Sequence, residues 1–167
     1  MAKFLKVGTT GFATEEAAIN VSAGAGDANK IIETNGSGKL DSTFLPAGVG
    51  NDSKSMTTGE ALSAGNLVYI SNTGTVLKAD ANAVAKAAVG YVTSSAASGA
   101  SVTVFFEGTI SGLTGLTPGA TYFLSDTTTG GVSLTIPSNA GDIVQAVGYA
   151  VSATELSFEP QTPIVRA

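Results

Sequence analysis

From Thr57 onward the β-branched and aromatic residues come in short runs, each closed by glycine, proline, asparagine, aspartate or serine. That punctuation leaves no room for long helices and reads as strands separated by tight turns. Residues 66–71 (NLVYIS) and 75–79 (TVLKA) flank Asn72-Thr73-Gly74, a loop with the glycine that a three-residue hairpin wants at its left-handed position. Further strands are expected over 88–94, 101–107, 121–125, 132–136, 142–151 and 155–158, with a type II turn at Pro118-Gly119. About eight short strands in roughly a hundred residues predict an all-β fold, a small antiparallel barrel or sandwich.

Alternation says which side chains face inward. Over 101–106, Val102, Val104 and Phe106 form one apolar set, and Phe105 breaks the polar set opposite, which points to an interface. Over 142–151, period two puts Ile143, Gln145, Val147, Tyr149 and Val151 on one face and Val144, Ala146, Gly148 and Ala150 on the other. The alanine-rich 81–88 is read as either a short helix or a crossing loop.

The first part of the chain has another texture. Up to residue 56 apolar residues come in twos and threes (Phe4, Leu5, Val7; Ile19, Val21; Ile31, Ile32; Phe44, Leu45) with no sustained period, so this part buries little by itself. Its one helical hint is 14–18, where Thr14 stands as a cap before Glu15 and Glu16. We therefore expect an extended N-terminal arm over 1–56 and a compact β domain over 57–167, with Phe4, Leu5, Val7, Ile31, Ile32, Phe44, Leu45 and Phe105 as capsid or intersubunit contacts in the functional reading given below.

Composition narrows the chemistry. With no cysteine and no histidine among 167 residues, the chain offers no disulfide, no thiolate or imidazole metal ligand, and no Ser-His or Cys-His nucleophile pair. Carboxylates are the remaining acids and bases. Asp126, Asp142, Glu107, Glu155 and Glu159 are scattered over turns and strand ends, tryptophan is absent, and the expected role is that of solvated turn acids. Asp27, Asp41 and Asp52 are too far apart for a calcium loop and are expected to cap Asx-type turns, and Gly24 and Gly26 lack the flanking strand and helix of a dinucleotide site. No catalytic residue, cofactor or metal is expected. A formal net charge of −5 with a single arginine, Arg166, argues against a nucleic-acid partner. No stretch approaches the apolar length of a membrane span or a signal sequence, so no membrane partner is expected either. Only 13% of residues are charged, about half the usual share, which suits a surface covered by small polar groups or by other subunits.

Two stretches together resemble a known family. Residues 25–46 (AGDANKIIETNGSGKLDSTFLP) are similar to a segment common in head-decoration and fibre proteins of tailed bacteriophages. The second stretch runs from EALSAGNLV (60–68) through KADA (78–81) and VGYV (89–92) to VFFEG (104–108). It resembles the β domain of phage capsid-decoration, or cement, proteins, and LTPGATYFLS (116–125) and QAVGYA (145–150) continue the likeness. The resemblance implies a non-enzymatic virion component, made in the host cytoplasm, that binds the major capsid protein on the capsid exterior as a homotrimer and stabilises the head. The alternative is a fibre module binding a host-surface glycan or receptor, with Tyr69, Tyr91, Tyr122 and Tyr149 as stacking candidates.

Overall fold

A computed structural model describes residues 3–7, 11–45 and 52–167. The chain divides into two units, residues 1–50 and 51–167. The boundary falls a few residues before the change in texture, because 53–57 already pairs into the second unit.

In the first unit, β1 (Lys3–Val7) and β2 (Ala13–Ala17) form an antiparallel hairpin. The helical hint at 14–18 is thus corrected. Two acids and two alanines give one turn too little for helix nucleation, and pairing with β1 offers Glu15 and Glu16 lysine partners instead. Single 3₁₀ turns follow at Ala25–Asp27 and Ser42–Phe44, and an isolated parallel bridge joins Ile19 to Ile32.

The second unit is antiparallel throughout its ladders. Its strands are β3 (Ser53–Thr57), β4 (Leu67–Ile70), β5 (Val76–Lys78), β6 (Gly90–Val92), β7 (Ser101–Phe105), β8 (Gly108–Ser111), β9 (Thr121–Leu124), β10 (Val132–Ser133), β11 (Ile143–Val144), β12 (Ala146–Ala150), β13 (Glu155–Phe158) and β14 (Ile164–Val165). One sheet has the order β3-β7-β6-β4-β5 and another β10-β9-β12-β13-β8, while β11 and β14 form a separate pair. The expected hairpin is β4–β5, with Gly74 at φ +80°. Residues 81–88 form a crossing loop with one 3₁₀ turn, Val84–Lys86.

Two cores explain which strands alternate. Leu67 and Tyr91 from the first sheet meet Ile110, Tyr122, Leu124, Val147, Leu156 and Phe158 from the second. On the other face of the first sheet, Val68, Val92, Val102 and Val104 pack with Leu62 and Val76, with Met56, Ala96 and Phe106 at the margin. Strands β4 and β6 are therefore covered on both faces, which is why their sequences run apolar without a break. Tyr91 sits edge-on to Phe158 at 5.3 Å, and burial pushes its phenol pKa up. The amide of Gln145 bridges β11 and β12 to the loop before β6: its Oε1 accepts the Ala88 N–H at 2.8 Å, and its Nε2 donates to the Ala88 carbonyl at 2.8 Å and the Gln161 carbonyl at 3.1 Å.

One expectation of alternation fails. Ala146 lies opposite Phe123 but Gly148 lies opposite Tyr122, so Val147 is an extra residue in β12. Before the bulge the odd residues Ile143, Gln145 and Val147 are buried; after it Gly148 and Ala150 are buried, and Tyr149 and Val151 face outward.

Candidate functional site

Hairpin β1–β2 has no sheet to lie in and is tied by cross-strand ion pairs. Lys3 meets Glu15 at 2.9 Å and Lys6 meets Glu16 at 3.1 Å, one pair on each face. Such exposed pairs are each worth about 0–1 kcal/mol, and a lone hairpin is marginal in water. Its apolar side chains are left uncovered: Leu5 is 77% exposed, Val7 72% and Phe12, just before β2, 75%, while Phe4 is half-buried.

The rest of this unit is organised by polar side chains acting on backbone. The Asp27 carboxylate accepts the Ala23 N–H at 2.6 Å and pairs with Lys30 at 3.0 Å. Asn35 Oδ1 accepts the N–H groups of Ser37 and Lys39, and Asp41 accepts the N–H and hydroxyl of Thr43. The Thr43 Oγ1 in turn accepts the Ser22 N–H at 2.8 Å, joining the two ends of the segment. The backbone hydrogen bond from Ala23, then Lys30, holds the Asp27 pKa below its ordinary value, and the Thr43 backbone and hydroxyl do the same for Asp41. These acids and amides belong to the GDANK and NGSGKLDS stretches singled out in the sequence. The motif's closing Pro46 lies outside the described residues.

What this scaffold presents is apolar. Ile31, Ile32 and Leu45 are exposed and Phe44 is half-buried. Val21 and Leu40, which the sequence reading did not select as contacts, are exposed as well, as is Phe12. Among the described residues of this unit, Ala18 is the one fully buried hydrophobic residue. The signal that would have found Phe12, Val21 and Leu40 was the absence of any period able to bury them. Phe105 stands apart from this group: it lies in the second unit, half-buried against the first core, with its ring stacked on Tyr91 at 5.6 Å. Contacts inside its own fold account for an apolar side chain at that position.

The carboxylates do not converge. Among the described residues no three acidic side chains gather closely enough to hold a metal ion. Asp142, nearly buried, accepts the Asn139 N–H and side-chain amide across a turn. Of the tyrosines, Tyr91 and Tyr122 are core residues, Tyr69 is half-buried and Tyr149 is exposed. Among the described residues no helix is long and apolar enough to cross a membrane. No protein-family model matches the chain, and no curated protein matches it.

Proposed function

We propose that the protein is a non-enzymatic phage virion component that docks on the outer capsid surface through its N-terminal unit, acts as a homotrimer, and stabilises the head. The observation that carries the reading is the contrast in what the two units bury. The second also exposes apolar side chains but packs two cores, whereas among its described residues the first fully buries only Ala18 and exposes Leu5, Val7, Phe12, Ile31, Ile32 and Leu40 on a scaffold held by Asx-type hydrogen bonds. Exposed apolar groups on an ordered scaffold suit a surface that covers them.

Magnitudes favour a multivalent mode. Covering a fully exposed Leu, Val or Phe is worth roughly 1.5–3 kcal/mol, so several such residues per arm give a gross gain of the same order as the 4–15 kcal/mol cost of association. One arm alone therefore binds weakly. Three arms on one trimer raise the effective concentration of the later contacts and convert weak docking into firm attachment. Because the ligand binds the assembled shell, shell stability rises by linkage, about 2.7 kcal/mol at a hundredfold excess over Kd.

The test is light scattering of the purified chain followed by electron microscopy of the chain mixed with undecorated phage heads. A threefold mass and regular knobs on the shell are expected. A monomer that leaves the heads bare overturns the reading and moves the protein to the alternative, a fibre module for a host-surface ligand.

A further inference from the structure

We infer that the outer face of the β9–β12–β13 sheet carries a binding site for a single neutral pyranose ring, centred on Tyr149. The inference concerns the second unit and is independent of capsid docking.

The site exists because of the bulge in β12. In a regular strand Ala146 and Tyr149, three positions apart, would face opposite sides of the sheet; with the bulge absorbing one residue both face outward, beside Thr121, which lies directly opposite Tyr149 in register. The bulge is locked by Gly148, whose φ is +147° and whose Cβ, if it had one, would run into the Ser157 carbonyl oxygen. A backbone position of this kind re-aims a side chain at a cost, and here it turns Tyr149 from the core to solvent at 44% exposure. The result is an open cleft of about 130 Å³ lined by Thr121, Ala146, Gly148, Tyr149, Glu159 and Gln161.

Size and chemistry select the ligand. At about 130 Å³ the cleft is well below the 300–1,000 Å³ of sites for cofactors and drug-sized ligands, and being open it holds one face of a single ring with the rest of the ligand in solvent. Its small floor, Ala146 and Gly148, leaves room beside one aromatic ring, and the remaining lining offers a hydroxyl, a carboxylate and an amide. That is an apolar wall for the C–H face of a sugar with both donors and acceptors for its hydroxyl rim. No basic side chain lines the cleft, so a phosphate or acidic ligand has no counter-charge. Register extends the surface: Ser157 lies opposite Tyr149 on its other side and Thr109 opposite Ser157, a row of hydroxyls along which an oligosaccharide can continue. With one aromatic, affinity for a single ring is weak, on the order of 1 mM, as for other ligands of about a dozen non-hydrogen atoms in shallow sites.

The test uses the full chain, with backbone amide NMR during titration with the methyl glycosides of glucose, galactose and mannose, and an array of neutral oligosaccharides. Saturable shifts at Thr121, Tyr149 and Gln161 with at least one probe are expected. Tyr149→Ala is expected to weaken binding about tenfold or more, and Tyr149→Phe, which keeps the ring, by less than about threefold, with unchanged spectra elsewhere showing that both variants fold. Binding of the Tyr149→Ala variant to phage heads should be unaltered. Three results overturn the inference: no saturable shift and no array binding with any neutral sugar, equal binding by Tyr149→Ala, or shifts at the same amides with tetramethylammonium and none with sugars, which would make the cleft a cation site.

Discussion

A side chain at position 148 would meet the Ser157 carbonyl on the neighbouring strand, in a backbone conformation that residues other than glycine rarely adopt. Gly148→Ala is therefore expected to destabilise the second unit by about 2 kcal/mol or more, measured by denaturant unfolding, and to return Tyr149 toward the inner face. A loss under about 0.5 kcal/mol would mean that the bulge is not fixed by this residue. The same residue shows where sequence reasoning stopped. Strict period two keeps Tyr149 and Val151 on one face with Ile143, Gln145 and Val147, whereas the structure buries the first three and turns Tyr149 and Val151 outward, because a bulge shifts parity without leaving a compositional mark. Gly148 was visible, but a glycine in a strand signals a bulge only once its neighbours' register is known.

At the scale of elements, β4, β5, β6, β7, β9, β12 and β13 were legible because each pairs a β-rich run with turn residues at its ends. Strand β8, GTIS, was hidden by its glycine and serine, and β3, SKSMT, by its polar edge character; both lie at sheet edges, where packing asks little of the sequence. The position of β3 has a measurable consequence. It pairs with β7 along five residues and brings Met56 to the second core. A chain beginning at residue 51 is expected to keep the Tm of the second unit, whereas one beginning at 57 is expected to melt lower by on the order of 5 °C or more. Equal melting temperatures would show that β3 contributes nothing.

The N-terminal segment responds to pH through Asp27 and Asp41. Both carboxyls are held below their ordinary value of 3.8 by hydrogen bonds accepted in the charged form. A folded-state pKa below the unfolded one contributes stability that is fully present above the unfolded value and is lost as pH falls through the folded one. The amides of Ala23 and Thr43 are thus expected to lose protection and shift as pH drops below about 3.8, before those of β6 and β7. Invariant Ala23 and Thr43 signals down to the acid unfolding of the second unit would contradict this role.

For the whole molecule, the sequence reading and the structure agree on an all-β, antiparallel chain, and among the described residues of the first unit Ala18 is the one fully buried hydrophobic residue. The runs of Val, Ile and Tyr declared the second unit. The hairpin of the first unit was not declared, since its strands, KFLKV and ATEEA, are held by lysine–glutamate pairs and not by an apolar face. Of its exposed apolar side chains, Leu5, Val7, Ile31, Ile32 and Leu45 were selected from the sequence and Phe12, Val21 and Leu40 were not, because each of these three stands alone between small or polar residues. The central claim is that this first unit, and not the second, holds the protein to a capsid. The most direct measurement is electron microscopy of undecorated phage heads mixed with the full chain or with residues 51–167 alone, which keep both cores and β3. Knobs with the full chain and bare heads with 51–167 are the expected result; heads decorated equally by the shortened chain would contradict the account.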